Sequence, residues 1–453
     1  MGIFNLEEIA LKGRGRLEGN TTKLNVTGLS IDSRSLQKGN LFIALEGPTF
    51  DGHDYLDDAK ARGASAFIVD RVVDSDIPYI LVDNTYNFLD RLAVKRRKEL
   101  TGKVISLTGS NGKTTTKEII YYLLSSEGNC HKTEGNKNNS IGVPLTLSSL
   151  HKSFDFSVVE VGTNSVGEID RLSKLTKPNI ALITNVSPSH LEGFGSIEGI
   201  AKEKGFILEH IQEDGVAVLP RDSLFFEYWK KRAGNKRIVT FGTNKVSDIV
   251  LRDTKVDVFD NSMSFYIEHR KEGFECKMKG VGEHNSTNAC AALAVGLALN
   301  LDLKKLCINL KRVMLPERRL SVHKAINSSL VIDDSYNANP ESMKMALDVM
   351  KNIKDRNRIF IAGQMGELGQ NKELFHNQVC EHAKDRVEEF LCIGNVWKTG
   401  LKHLPKIGKL FKSQNDLFEY VSKKINKKTV IMVKGSRSTN MDFIADKLKK
   451  SEC

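Results

Sequence analysis

Residues 104–116 read Val-Ile-Ser-Leu-Thr-Gly-Ser-Asn-Gly-Lys-Thr-Thr-Thr, an apolar run that enters a glycine turn and leaves it as a helix-forming segment. A strand, a glycine turn and a helix start in that order aim backbone N–H groups and the positive end of the helix dipole at an anion. Gly109 and Gly112 let the main chain approach phosphate oxygens closely. Lys113 is placed to reach the β and γ phosphates, Thr114 to ligate Mg²⁺, and Ser110, Asn111 and Thr115 complete an expected ATP-binding loop. The alternative is a tight strand-to-helix turn with an exposed lysine. The spacing departs from the commoner G-x-x-x-x-G-K form, because Leu107 stands where the first glycine would be.

Outward from this loop the chain keeps alternating short apolar runs with helical patterns. Before it come LFIAL (41–45), AFIV (66–69) and YILV (79–82), then a basic helix ending in RLAVKRRKEL and a break at Thr101-Gly102. After it come KTTTKEIIYYLLSS, FSVVEVG and NIALITNV, and from near Lys311 a further set of SLVIDDS, RIFIAG, EFLCIG and TVIMVKG. Buried strands alternating with helices predict an α/β chain with a mainly parallel sheet covered on both faces. The last set has the spacing of a doubly wound, Rossmann-like fold, whose ligands bind beyond the carboxyl ends of the strands. Three domains are expected, at residues 1–100, 101–311 and 312–453, in keeping with a length of 453 residues.

Composition narrows the class. Hydrophobic residues at 40% and charged residues at 27% are ordinary for a globular protein, and the longest apolar stretch, Ala289 to Leu299, reads as a buried helix rather than a membrane span. The opening MGIFNLEEIALKG lacks a basic start and an apolar core, so a cytoplasmic protein is expected. Seven cysteines without a CxxC pair point to reduced structural thiols. The net charge of +11 is spread along the chain, which suits an anionic substrate better than nucleic acid.

Several residues stand where a nucleotide site would need them. Glu160 ends the strand SVVEVG and is either a carboxylate for Mg²⁺ or a solvated strand-end acid. His190, after the next strand, is either a second cation ligand or a loop hydrogen-bonder. Lys204, in AKEKGFIL, is ordinarily a surface charge. Asn285 and Asn288, three apart in GVGEHNSTNACAAL beside His284, could read an adenine edge or cap a helix. Ser33 and Arg34 could bond a diphosphate, with Asp51, Gly52 and His53 forming a turn beside it, or DSRSLQKG is only a polar turn between strands.

The GSNGKTT loop, with EVGTNSVGEI and TNVSPSHLEGFGS behind it, resembles the Mur ligase family. That resemblance implies a three-domain architecture with a central P-loop sheet and a Rossmann-like C-terminal domain. It makes Glu160 and His190 metal ligands, and makes Lys204, or failing that Lys202, a carbamylated Mg²⁺ ligand. Arg319 matches the family's GRL arginine, which neutralises phosphate, with Arg318 in the glycine's place; Asp334 matches the acid that contacts ribose. The run SIDSRSLQKGNLFIALEGPTFDGHDY resembles the family's UDP-binding domain, with Asn138 and Asn139 completing the UDP-substrate site.

Three segments resemble the branch of that family that adds D-alanyl-D-alanine: TEGNKNNSIGVPLTL (133–147), DDSYNANPESM (333–343) and IAGQMGELGQNKELFH (361–376). In that branch Asn337, Asn339 and the MGELG loop lie near the dipeptide, and Lys434, Gly435 and Ser436 form a closing loop. Gln364 replaces an aspartate there. The DNPR-type motif of the diaminopimelate- or lysine-adding ligases is absent. The resemblance thus implies ATP and Mg²⁺ as cofactors and UDP-N-acetylmuramoyl-tripeptide and D-alanyl-D-alanine as partners. It implies catalysis by Lys113, Lys204, Glu160 and His190 through an acyl phosphate, in a monomer.

Overall fold

The computed structural model describes residues 4–19, 24–188 and 191–449. Three main sheets follow one another along the chain. The first has five strands in the order Arg16–Glu18, Tyr79–Leu81, Ala66–Val69, Asn40–Ile43 and Gly28–Ser30, all parallel except for the first pair. The basic helix Thr85–Glu99 carries the chain to the second sheet. Asn84 caps its start, and Arg97 is buried against the carbonyls of Thr176 and Lys177.

The second sheet has nine strands, and its middle decides where chemistry can occur. Lys103–Thr108 lies between Phe156–Glu160 and Ile180–Ile183, parallel to both. The chain therefore leaves this strand to one side and later returns on the other, which opens a crevice at the carboxyl ends. The helix Lys113–Ser125 packs over the sheet through Ile119, Ile120, Leu123 and Leu124, each at most 2% exposed and each stabilising by about 1.5–3 kcal/mol. The helix His284–Ala298 packs beside it. Its run of alanines lets Asn288 come up against Gly112 in the loop.

The sheet is mainly parallel, as expected, and its antiparallel part lies at one edge. Ile249–Asp257, Ser262–His269 and Glu272–Lys279 are joined antiparallel and extend the sheet beyond Arg237–Gly242. Met263, Phe265 and Ile267 face the core, as do Cys276 and Met278, while their neighbours are solvated. This alternation is what a sheet with one wet face requires.

The third sheet runs Ser321–Lys324, Leu330–Asp334, Thr429–Lys434, Asn357–Ala362, Glu389–Ile393 and Gly408–Phe411, parallel after the first pair. Its register sets Asp334 opposite Lys434 at the carboxyl edge. The α/β class expected from the sequence is the observed one. The described cysteines are unpaired, and burial pushes the Cys290 and Cys380 thiols up to about 12; Cys453 lies outside the described residues. Among those residues no helix is long and apolar enough to cross a membrane.

Candidate active site

The turn after Lys103–Thr108 is shaped by two glycines with positive φ, Gly109 at 157° and Gly112 at 76°. A β-carbon on Gly112 would stand 2.3 Å from Asn288 Oδ1, so neither conformation nor space admits a side chain there. Thr184 and Asn185, from the end of the next strand, hold the Asn111 carbonyl from the other side. Lys113 folds back over the turn, its Nζ donating to the carbonyls of Gly109 (2.8 Å) and Ser110 (3.2 Å). Burial lowers its pKa, and Glu160 opposes that shift.

Glu160 is 1% exposed at the end of its strand. Its Oε1 accepts from Thr114 Oγ1 (3.2 Å) and Asn138 Nδ2 (2.7 Å), while Oε2 is buried with no hydrogen-bond partner. The solvated strand-end reading of Glu160 therefore falls. Among the described residues no cluster of three or more His, Cys, Asp or Glu could hold a metal ion. One buried carboxylate with a free lone pair beside a threonine hydroxyl nevertheless fits Mg²⁺, which takes few protein oxygens and draws its other ligands from water and phosphate.

Two contacts bring the third sheet's unit onto this turn. Arg319 Nη2 donates to Thr114 Oγ1 at 3.0 Å, with its guanidinium 4.3 Å from the centre of the Tyr336 ring. Asn339 caps the helix Pro340–Lys351 through Oδ1 and donates from Nδ2 to Asn111 Oδ1 at 2.7 Å. Lys434 Nζ pairs with Asp334 Oδ2 at 2.5 Å and donates to the Asn337 carbonyl at 2.9 Å. Burial raises the Asp334 pKa against the pull of Lys434, and burial beside Lys434 lowers His284 to about 4.

These groups line one cavity of about 390 Å³ between the second and third sheets. It gathers the turn from Ser110 to Thr115, Asn138, Asn139, Glu160, Asn285, Asn288, Arg319, Asp334, Asn337, Asn339 and Lys434. Asn285 and Asn288 are buried at the start of their helix and bonded to each other, so helix-start packing accounts for part of their spacing. Asn139 Oδ1 accepts from the Gly142 N–H and starts the next helix. Sequence reasoning missed Tyr336, the ring under Arg319, although it lies inside the DDSYNAN run.

Other expected residues fall elsewhere. Lys204 does not line the cavity, but it is 3% exposed in the last turn of Ile197–Gly205, which corrects the expectation of a surface charge. Burial lowers its pKa well below the ordinary lysine value, and Lys113 adds to the effect. Lys202, the fallback, precedes it on the same helix. His190 lies outside the described residues. Ser436 sits just behind the cavity, accepting from the Gly366 N–H and donating to the Ala338 carbonyl.

Arg318 has a left-handed backbone, with φ at 62°, a conformation that favours glycine, and its guanidinium reaches Asp442 and Asp446. The Gln364 side chain lies against Gly394, outside the cavity.

The residues expected to hold a UDP group form a separate cluster on the first sheet. Ser33 is buried, while Arg34 is exposed and pairs with Asp32. His53 is held between Asp51 and Asp70, and Gly52 packs on the Leu45 backbone. Arg71 pairs with Asp51, and that pairing with the bonds from His53 outweighs burial and holds the carboxyl below the usual carboxylate range.

Three family models match the chain: "Mur ligase family, catalytic domain" over residues 25–106, "Mur ligase middle domain" over 107–296 and "Mur ligase, glutamate ligase domain" over 318–437. The UDP-N-acetylmuramoyl-tripeptide–D-alanyl-D-alanine ligase of Escherichia coli K12 is 34% identical over 96% of both chains. That of Bacillus subtilis 168 is 33% identical over 94% of both. A MurF crystal structure from Acinetobacter baumannii superposes with a TM-score of 0.89 at 30% identity, covering 99% of this chain and 100% of that one. The MurF ligase of Thermotoga maritima in complex with ADP gives 0.79 at 27% identity, covering 93% and 96%.

Proposed function

This chain belongs to the Mur ligase family, and from that premise we infer that it joins D-alanyl-D-alanine to UDP-N-acetylmuramoyl-tripeptide at the expense of ATP, in peptidoglycan precursor synthesis. The observation that carries this reading is the convergence of the Ser110–Thr115 turn, Glu160 and Arg319 on one cavity between two sheets. We take the three working units to be residues 1–100, 101–311 and 312–453.

The reaction needs a carboxylate made electrophilic and an amine brought to it. The terminal carboxylate of the tripeptide attacks the γ-phosphorus of ATP, giving an acyl phosphate and ADP. The dipeptide amine then adds to the acyl carbon, and phosphate leaves as the amide forms. Charge develops on phosphoryl oxygens in the first step and on the acyl oxygen in the second, so fixed positive groups matter more than a protein nucleophile.

Lys113 and Arg319 supply that charge. Lys113 exchanges its two loop carbonyls for phosphate oxygens, and Arg319 exchanges the Thr114 hydroxyl. Thr114 and Glu160 would hold Mg²⁺, which when bound offsets phosphate charge and fixes the phosphoryl group in line. Lys204, with a depressed pKa, would carry enough neutral amine to form a carbamate, and with His190 would serve a second cation. Asn285, Asn288 and Asp334 would meet the nucleoside, and Asn337, Asn339, Lys434 and Ser436 the dipeptide. On the first sheet Ser33, Arg34, Asp51, Gly52 and His53 would hold the UDP group, with Asn138 and Asn139 between the two sites. Closure of the outer units on the centre would exclude water from the acyl phosphate. We expect a monomer, in the cytoplasm, where ATP and UDP-linked precursors are found.

A coupled phosphate-release assay with substrate omission tests the reading. Release should require ATP, the UDP-linked tripeptide and D-alanyl-D-alanine together. Equal release without the dipeptide would sink the assignment.

A further inference from the structure

We propose that Lys117 is a positioning residue that ties the Glu160 carboxylate to the 134–139 loop, so that the cation side and the substrate side of the cavity share one frame. The proposal rests on the ligase reading for its substrates. Lys117 lies one turn beyond Lys113 on the helix that starts at the phosphate loop, with its side chain fully buried. Its Nζ donates to the Gly135 carbonyl at 2.7 Å and stands 3.4 Å from Glu118 Oε1 and 3.6 Å from Glu160 Oε2.

A lysine needs a reason to sit where water cannot reach it. Removing a cation from water is costly unless it is paired, and an apolar residue of the same length would fill such a space at less cost. The partners of Lys117 suggest what it is for. Glu160 Oε2 is the oxygen with no hydrogen bond, and Lys117 is the positive group that faces it. The 134–139 loop is bound to the same strand end by other links: the Asn138 side chain donates to Glu160 Oε1, and the Asn138 carbonyl accepts from the Gly162 N–H at 2.8 Å. Gly135 is in the left-handed region with φ at 54°, and the Lys117 bond to its carbonyl holds that turn from below. Asn136, Asn138 and Asn139 from this loop face the cavity. Lys117 thus fixes two things at once, the orientation of the carboxylate and the height of the loop.

Two variants separate positioning from plain packing. Lys117→Met fills the space and removes both links; Lys117→Gln keeps a donor for the Gly135 carbonyl and removes the charge. For Lys117→Met, loss of a charged hydrogen bond should raise the KM for the UDP-linked tripeptide about tenfold. It should also raise the Mg²⁺ needed for half-maximal rate, leave the KM for D-alanyl-D-alanine within about twofold, and speed amide hydrogen exchange across 135–138. Lys117→Gln should recover much of the tripeptide KM but not the Mg²⁺ requirement. A residue that only fills the core would instead lower kcat with the active fraction and leave every KM and the loop exchange unchanged, which overturns the proposal. If Lys117→Met does not fold, a folded Lys117→Gln with wild-type Mg²⁺ dependence overturns it equally. Wild-type protein that fails the dipeptide-omission assay would refute the ligase reading, whereas the Lys117 proposal would still be read from Mg²⁺-nucleotide binding and hydrogen exchange.

Discussion

Arg318 occupies a left-handed backbone position while its side chain makes ion pairs, and two substitutions pull these effects apart. Arg318→Ala and Arg318→Gly both delete the contacts to Asp442 and Asp446. Arg318 is 31% exposed and Asp446 51%, and Asp442 keeps Arg437 as a second partner, so the lost pairs are worth about 0.5–1 kcal/mol together. Alanine retains the cost of a β-carbon at φ 62°, about 1–2 kcal/mol, whereas glycine escapes it. Glycine in turn loses about 0.4–1 kcal/mol through the greater freedom of its unfolded chain. The expected order is therefore glycine above alanine by about 1 kcal/mol, with glycine close to wild type. Of the chain's two tryptophans, Trp397 is buried in the unit built on the third sheet and Trp229 in the central one. Urea unfolding in a Trp229→Phe background, followed by fluorescence, reports the unit that contains Arg318. Equal midpoints for the alanine and glycine variants would refute the claim that the arginine bears backbone strain.

Lys204→Ala should be nearly inactive and partly rescued by a short carboxylic acid in solution; unaltered activity would remove the carbamate from the mechanism. A second expectation concerns pH. Burial lowers His131 to about 4, and its ring meets Ser157 on the adjacent strand. Because the folded pKa lies below the unfolded value of 6.5, the unfolded chain binds more protons in that interval. Stability should fall as pH drops from about 6.5 to about 4, and His131→Asn should flatten that slope in melts across the range. An unchanged slope would place the effect on other groups.

The strands were readable because each is a short apolar run ending in glycine or a polar turn, and the runs around 104–108, 156–160 and 429–434 match observed strands closely. The edge strands at 249–279 were harder to read, since every second residue is polar and lysine and glutamate mask the alternation of Met263, Phe265 and Ile267. The phosphate loop was legible because its geometry is local, held by φ angles at two glycines. Contacts across the chain were not. The bonds from Arg319 to Thr114 and from Asn339 to Asn111 span 205 and 228 residues, and nothing in either segment alone records the distance to its partner. The burial of Lys204 and Lys117 was equally hidden, because a lysine on a helix looks the same in sequence whether its face meets water or protein.

The Lys113 bonds to Gly109 and Ser110 bear on turnover. The groups of the loop bond to one another: its lysine is bonded to two carbonyls, and its threonine hydroxyl donates to a glutamate and accepts from an arginine. Arrival of a nucleotide trades these bonds for stronger, charge-assisted ones to phosphate, so the net gain is the difference between the two sets and not the full worth of the new one. The same balance acts when ADP departs, since the loop closes on itself and leaves no stranded charge behind. A catch whose own parts can fasten to one another gives up what it holds at lower cost.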